Sequence, residues 1–210
     1  VHSTAGNISV RLGPDANGGF LITPTDSCLG FLDPDELALV GADGVQVGGR
    51  RASKTLVLHR RIYAAADRAG VAAGCVLHTH STHCVALTLG EPRELFTGPE
   101  QTPELLPPLT PYFVMKVGRV PIIEYGVPGS SGVTDRVVAA IERYRAYGVG
   151  LRAVMLARLG PTVWNEHPAS AMATLEELEE TARLLHLAGD CAALGDAEIE
   201  ALRTAFGVQW

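Results

Sequence analysis

Short alternating segments at the start of the chain predict β-hairpins. Residues 5–12 (AGNISVRL) alternate between apolar and polar positions, as a strand with one buried face does. A glycine-bearing turn at residues 13–19 then leads to a second strand at residues 20–23. Residues 43–49 predict another hairpin, after a short helix that Asp33 caps and Pro34 begins. Because almost nothing precedes the first strand, we expect an N-terminal helix to be missing there.

A helical period appears in four longer segments, at residues 53–68, 135–147, 168–188 and 196–206. The third segment begins at Pro168, and Glu179 and Arg183 on its outer face have the i,i+4 spacing that predicts an ion pair. In the first segment, the positions of one apolar face are Leu56, His59, Ile62, Tyr63 and Ala66.

Apolar runs between these helices predict buried strands at residues 72–77, 120–123 and 153–157. Ser81 caps a short predicted helix to Leu89, and residues 90–108 are typical of a surface excursion rich in Pro, Glu and Gly. Predicted strands alternate with predicted helices along the chain, and hairpins interrupt this alternation. The pattern therefore predicts one α/β layered domain over residues 1–210, with a mixed sheet.

Composition narrows the class of protein. The 210 residues are 47% hydrophobic and 19% charged, which excludes a disordered chain. The net charge is -6 and no basic run exceeds two arginines, so we expect no nucleic-acid partner. We expect no membrane span, because no apolar stretch reaches the roughly 18 residues that one requires. Four cysteines without a CxxC pair favour reduced thiols, and we expect a cytoplasmic protein without a signal peptide.

Three histidines follow the predicted strand at residues 72–77 and are the clearest chemical feature. His78 and His80 are two residues apart at a strand end, so their side chains point to the same side and can converge on one metal ion. His83 lies on the first turn of the next helix, where it is either a further ligand or a hydrogen-bonded neighbour of the site. His59, on the apolar face of its helix, is interpreted as a buried histidine with satisfied hydrogen bonds.

A second group of residues predicts an anion site. Ser53 and Lys54 stand at the predicted start of a helix, where free N–H groups and partial positive charge favour an anion. Three small polar residues at strand ends are candidates to complete the cradle for a small anionic substrate: Asn7, Thr25 and Ser27.

Several of these segments together resemble the class II aldolase/adducin superfamily. The motifs are AGNISVR (residues 5–11), TPTDSCLG (23–30), SK (53–54) before His59, HTHSTH (78–83), TPYFVM (110–115) and EELEETA (176–182). They are most similar to the 3-oxo-tetronate 4-phosphate decarboxylase branch. The resemblance implies a three-layer α/β/α domain with a central mixed, largely antiparallel sheet. It also implies a homotetramer with sites between subunits.

The resemblance further implies a divalent metal, commonly zinc, held by His78 and His80. The substrates it implies are small phosphorylated keto-sugars or sugar acids, whose C–C bond breaks through an enediolate. Tyr112 matches the family tyrosine that acts across the subunit interface and would donate a proton to the carbanion. Lys54 and His83 are the other catalytic candidates.

The sequence departs from the family motifs at three positions. Thr55 stands where the family has a glutamate, Leu159 where it has a third histidine, and Asp26 where it has the glycine of a phosphate loop. Leucine cannot bind a metal, and a carboxylate repels a phosphate. His167 is one candidate for the missing ligand.

Two functional hypotheses follow. The first is a carbon–carbon lyase acting on a small anionic keto-sugar or keto-acid, by decarboxylation or aldol-type cleavage, with an altered site that uses either zinc or no metal. The second is a diverged member without metal-dependent lyase activity, which catalyses another reaction or binds a ligand without chemistry. A structural module like the adducin head has no basic segment here to support it.

Overall fold

The structure, a computed structural model, describes residues 4–13, 18–90, 96–189 and 191–210. Its strands are β1 (Asn7–Arg11), β2 (Phe20–Ile22), β3 (Ala38–Val40), β4 (Gln46–Gly48), β5 (Cys75–His78), β6 (Phe96–Thr97), β7 (Pro103–Glu104), β8 (Ile122–Ile123), β9 (Ala153–Leu156) and β10 (Gly160–Asn165). Its helices are α1 (Leu56–Ala69), α2 (Thr82–Ala86), α3 (Pro111–Lys116), α4 (Ser131–Ala146), α5 (Pro168–Ala188) and α6 (Asp196–Phe206).

Within the described residues, one eight-stranded sheet has the order β4-β3-β2-β1-β5-β10-β9-β8. The neighbouring strands pair antiparallel except β8 and β9, which are parallel. β6 and β7 form a separate two-stranded ribbon. The prediction of a mixed, largely antiparallel sheet is therefore confirmed, and β5 lies in the middle of that sheet.

Helices cover both faces of the sheet. Successive side chains of a strand point to opposite faces, so on β5 Val76 belongs to one core and Leu77 to the other. The first core includes Ile62 of α1 and Val138 of α4, and the second includes Leu178 of α5. This arrangement is the three-layer α/β/α architecture that the resemblance implies. No described helix is long and apolar enough to cross a membrane.

Most of the predicted elements are present, with shifted ends. The helix predicted from residue 53 begins at Leu56, and the short helix after Asp33 is a single 3-10 turn, Pro34–Glu36. The helices starting at Pro168 and Asp196 have the predicted bounds. Residues 14–17 and 91–95 of the predicted turn and surface excursion lie outside the described residues.

Two expectations need correction, one about an ion pair on α5 and one about the strand that precedes α5. The predicted ion pair between Glu179 and Arg183 is wrong, because the Glu179 carboxylate turns towards α2 while Arg183 pairs with Glu180 at 3.3 Å. β10 was absent from the predicted strands, since Gly160 and Pro161 at its start are typical of turns. This strand is the neighbour of β5 and completes the wall beside His78.

Candidate active site beside His78

The strand order places His78 between two polar neighbours. His78 is the last residue of β5, and both adjacent strands run antiparallel to it. In the register of the sheet, its partners are Asn7 of β1 and Thr162 of β10. All three side chains are buried at the same end of the sheet. This row of residues forms the floor of the candidate site.

Hydrogen bonds fix the imidazole of His78. Its Nδ1–H donates to the carbonyl oxygen of Pro161 at 3.0 Å and lies 2.9 Å from the hydroxyl oxygen of Thr162. Because a carbonyl oxygen only accepts, the proton is on Nδ1 and the Nε2 lone pair is available. Burial, with a contribution from the charge of His80, lowers the pKa of His78 to about 4. His78 is therefore neutral near pH 7.

The structure brings His80 next to His78, as the spacing predicts. The two ring centroids are 5.3 Å apart and the rings meet edge to face. The backbone between His78 and His80 packs closely against two glycines. A Cβ on Gly6 would meet the carbonyl oxygen of His78 at 2.6 Å, and one on Gly160 would meet that of Thr79 at 1.9 Å. Glycine is therefore required on both sides of the His78–His80 turn.

A buried chain of hydrogen bonds supports the floor from α1. His59 Nε2–H donates to Asn7 Oδ1 at 2.6 Å, and the Ser9 hydroxyl donates to His59 Nδ1 at 2.8 Å. The Tyr63 hydroxyl donates to the Ser9 carbonyl oxygen at 3.0 Å. Burial lowers the pKa of His59 to about 3. His59 is therefore the satisfied core histidine that the sequence predicts, and it orients Asn7 so that the amide nitrogen remains for other contacts.

A small, partly open pocket lies beside His78, and we call it the His78 pocket. Its rim carries Lys54 and Thr55 from the segment before α1, and Leu159 from the turn between β9 and β10. The remaining lining residues are mostly apolar and come from α1, β9 and the start of α4: Val57, Leu58, Pro128, Gly129, Ser130, Val133, Thr134 and Leu156.

The predicted anion residues Ser53 and Lys54 lie just outside α1 rather than in its first turn. Lys54 is exposed and lines the His78 pocket. The hydroxyl oxygens of Ser53 and Thr55 are 2.9 Å apart, within hydrogen-bond distance. The pocket therefore has one cation at its mouth and a neutral imidazole at its floor.

Thr25 and Ser27 are not part of the His78 pocket. The Thr25 N–H donates to the carbonyl oxygen of Arg51 at 2.9 Å, next to the bridge between Pro24 and Ala52. Ser27 lines a separate pocket with Arg50 and three acidic residues, Asp26, Asp33 and Glu36. Of the predicted substrate-binding residues, Lys54 therefore lines the His78 pocket and Ser27 lines this separate pocket.

His83 and Tyr112 also lie away from the His78 pocket. His83 Nδ1 donates to the Glu179 carboxylate at 2.8 Å, and the backbone N–H groups of His83 and Cys84 donate to the same carboxylate at 2.9 and 3.1 Å. Tyr112 is 63% exposed near the start of α3. Glu179 is a residue that sequence reasoning missed, because its partners are 95 and 96 positions away along the chain.

The donor set does not fit the metal that the resemblance implies. A catalytic zinc ion takes three protein ligands, yet Thr55 and Leu159 line the His78 pocket, at the two positions where the resemblance implies a glutamate and a histidine. His167 is no substitute, since it follows the opposite end of β10, beyond Asn165, which pairs with Cys75. In the described part of the chain, no group of three or more His, Cys, Asp or Glu side chains is placed to hold a metal ion.

Comparisons with known proteins agree with this architecture. The profile of the Class II Aldolase and Adducin N-terminal domain matches residues 1–186. The chain belongs to the class II aldolase/adducin family. It is 46% identical to a 3-oxo-tetronate 4-phosphate decarboxylase from Cupriavidus necator, over 99% of this chain and 88% of the relative. It is 36% identical to the protein of that name from Escherichia coli K12, over 89% of this chain and 78% of the relative.

Solved structures of the family superpose on the chain. The crystal structure of YgbL from Escherichia coli matches with a TM-score of 0.77 at 35% identity, covering 97% of this chain and 89% of YgbL. An L-fuculose 1-phosphate aldolase matches with a TM-score of 0.73 at 22% identity, covering 98% of this chain and 87% of that protein. The second likeness concerns the fold alone.

Proposed function

We propose that this class II aldolase family member is a carbon–carbon lyase that decarboxylates a small anionic 3-oxo acid of the sugar-acid type. The observation that carries the proposal is the His78 pocket, which combines an exposed Lys54 at its mouth with a fixed neutral imidazole at its floor. The names of the relatives at 36% and 46% identity favour decarboxylation over aldol cleavage.

The chemistry of a 3-oxo acid suits such a site. When the C1–C2 bond breaks, carbon dioxide leaves and the electron pair moves into a C2=C3 double bond, so that the C3 oxygen becomes an anion. A proton delivered to C2 then restores the ketone. Stabilising the developing oxyanion is the main requirement. Lys54 is the cation of the His78 pocket that can supply this stabilisation.

The other predicted residues take binding and positioning roles in this proposal. Asn7 contributes its amide nitrogen and Ser53 its hydroxyl as substrate contacts, while the His78 Nε2 lone pair accepts a hydrogen bond from a substrate hydroxyl. Thr25 and Ser27 contact the far end of a longer substrate, and His83 holds α2 in place beside the histidine turn. These roles agree with the hydrogen bonds of Asn7 and His83 described above.

A kinetic comparison of the chain's two lysines tests the proposal. Carbon dioxide release is measured with phosphorylated and unphosphorylated 3-oxo acids, and Lys54→Ala is compared with Lys116→Ala on α3. We expect Lys54→Ala to lower kcat/KM by roughly a hundredfold, about 2.7 kcal/mol of transition-state stabilisation. Lys116→Ala and the melting temperature should change little. Equal activity of the two variants would contradict the role of Lys54.

We also propose that the chain assembles as a homotetramer in which Tyr112 reaches the pocket of a neighbouring subunit. The exposure of Tyr112 and its position outside the His78 pocket of its own chain support this. Mixing inactive Lys54→Ala and Tyr112→Phe subunits should then restore activity, because some sites receive an intact residue from each chain. No recovery after verified subunit exchange would contradict a shared site.

A cytoplasmic location is also proposed. All four cysteines are free thiols, and burial raises the pKa of Cys75 to about 11, so that this thiol is an unreactive part of the core. Such cysteine usage is typical of a reducing compartment.

A second candidate function follows from two residues of the rim. Thr55 and Leu159 leave the His78 pocket without the donors of a metal-dependent lyase. A chain that binds 3-oxo acids, as measured by calorimetry, but releases no carbon dioxide from any of them would be a binding protein or a catalyst of a different reaction.

A further inference from the structure

The His78 pocket has unequal halves. One half carries His78, whose ring centroid lies 5.3 Å from that of His80, and His78 already has the partners on Nδ1 that orient a histidine ligand. The other half carries Thr55 and Leu159. The supports of a metal ligand are therefore present, while the remaining ligands are replaced by a hydroxyl and an alkyl side chain.

Leu159 is held firmly in its place at the rim. It packs against the core between the sheet and helices α1 and α4. Its N–H donates to the Leu156 carbonyl oxygen at 3.0 Å, and the N–H of Arg158 donates to the Thr88 hydroxyl at 2.9 Å. Arg158 has a φ of +64°, which makes the turn from β9 into β10 tight. The leucine side chain is consequently a part of the pocket wall.

Thr55 provides no compensating ligand. Its hydroxyl oxygen lies 2.9 Å from that of Ser53, and a neutral hydroxyl is not among the side chains that bind zinc in proteins.

We infer that Leu159 and Thr55 are the residues that keep the His78 pocket from binding a divalent metal ion, and that the rest of the pocket remains built to bind one. The double substitution Leu159→His and Thr55→Glu should therefore create a zinc site without any change elsewhere. This inference goes beyond the proposed function, because it concerns metal affinity and holds whether or not the chain decarboxylates a 3-oxo acid.

The experiment is a zinc titration of the chelator-treated chain by calorimetry, with cobalt absorption spectra as a second readout of coordination. The samples are the wild type, the double variant, the double variant with His78→Ala, and Val47→His as a control. Val47 lies on edge strand β4 and is 67% exposed, so its variant adds an imidazole away from the pocket. Circular dichroism and melting curves establish that each variant is folded.

We expect the double variant to bind one zinc ion per chain about a hundredfold or more tightly than the wild type, since even losing the partner of a ligand costs 10–100-fold in affinity. The His78→Ala change should abolish the gain, and Val47→His should match the wild type. The inference is overturned if the wild type binds one zinc ion through His78 within about tenfold of the double variant. It is also overturned if a folded double variant gains no affinity.

Where the double variant fails to fold, two samples still decide the matter. The single variant Leu159→His must gain about tenfold or more in zinc affinity over the wild type, and adding His78→Ala must remove that gain. The opposite result in either sample overturns the inference.

Discussion

The floor of the candidate site and the rim of the His78 pocket are built on different principles. The floor residues Asn7, His78 and Thr162 lie on three adjacent strands, are buried, and have hydrogen-bond partners that also order the core. The rim residues Lys54 and Thr55 lie on the segment before a helix, and are exposed or half-buried. The difference teaches that the position of the imidazoles is a property of the fold, whereas the chemistry around them is set by residues on which the fold depends little.

The largest expected effect is on the glycine that presses against the floor. Gly160→Val should lower the free energy of unfolding by roughly 3 kcal/mol, because its Cβ would meet the Thr79 carbonyl oxygen at 1.9 Å and its φ is +146°. Gly148→Val is the control, since Gly148 also has a positive φ but open space around it. Urea denaturation measures both. Equal losses would show that the close contact with the histidine turn contributes nothing.

A smaller effect is expected at the support beneath that turn. Glu179→Gln should cost about 1–2 kcal/mol of unfolding free energy, because the amide cannot accept all of the bonds that His83 and Cys84 donate to the carboxylate. Glu180→Gln, in an exposed pair with Arg183, should change stability by less than about 0.5 kcal/mol. Thermal melts of the two variants test the contrast, which fails if Glu180→Gln is the more costly change.

The floor should also make stability depend on pH. Burial lowers the pKa of His59 from 6.5 to about 3, so His59 stays neutral in the folded chain while the unfolded chain takes up a proton below pH 6.5. Its contribution is complete above pH 6.5 and is lost progressively as the pH falls towards 3. We expect a loss of about 1 kcal/mol from His59 at pH 5.5. The free energies of unfolding of the wild type and His59→Gln, measured between pH 7 and 5, isolate the contribution of His59. The same pH dependence in both proteins would contradict the prediction.

The smallest effect is expected on the rim. Thr55 is the N-cap residue of α1, but its side chain makes no capping hydrogen bond. Thr55→Ala should therefore cost less than about 0.5 kcal/mol, where a capping threonine is worth about 1 kcal/mol. A melting experiment that finds a loss above that level would show that the rim supports the fold after all, and the contrast with the floor would disappear.

The fold was predictable from the sequence where one spacing of apolar or polar residues defines an element without ambiguity. The apolar period over residues 168–188 gives α5 its correct bounds, and the i,i+2 spacing of His78 and His80 gives two adjacent rings. β10 escaped because its first residues, Gly160 and Pro161, have the composition of a turn, although five of its six residues are buried.

The partners of the site residues could not be predicted, because they are distant in sequence. His59 bonds to Asn7 across 52 positions, and Glu179 reaches the N–H of His83 across 96. A local pattern pairs Glu179 with Arg183, four positions away, while the tertiary structure offers it two backbone N–H groups and an imidazole. The N–H groups at the start of α2 therefore determine where the Glu179 side chain points. The i,i+4 spacing along α5 does not.

The turn between β9 and β10 has a practical consequence for redesign. It carries Leu159 into the pocket from a hairpin whose strands are anchored in the middle of the sheet. Because Leu159 also packs against the core, a combinatorial library that randomises residues 54 and 55 and keeps an apolar side chain at 159 would sample new catalysts on a frame that stays folded.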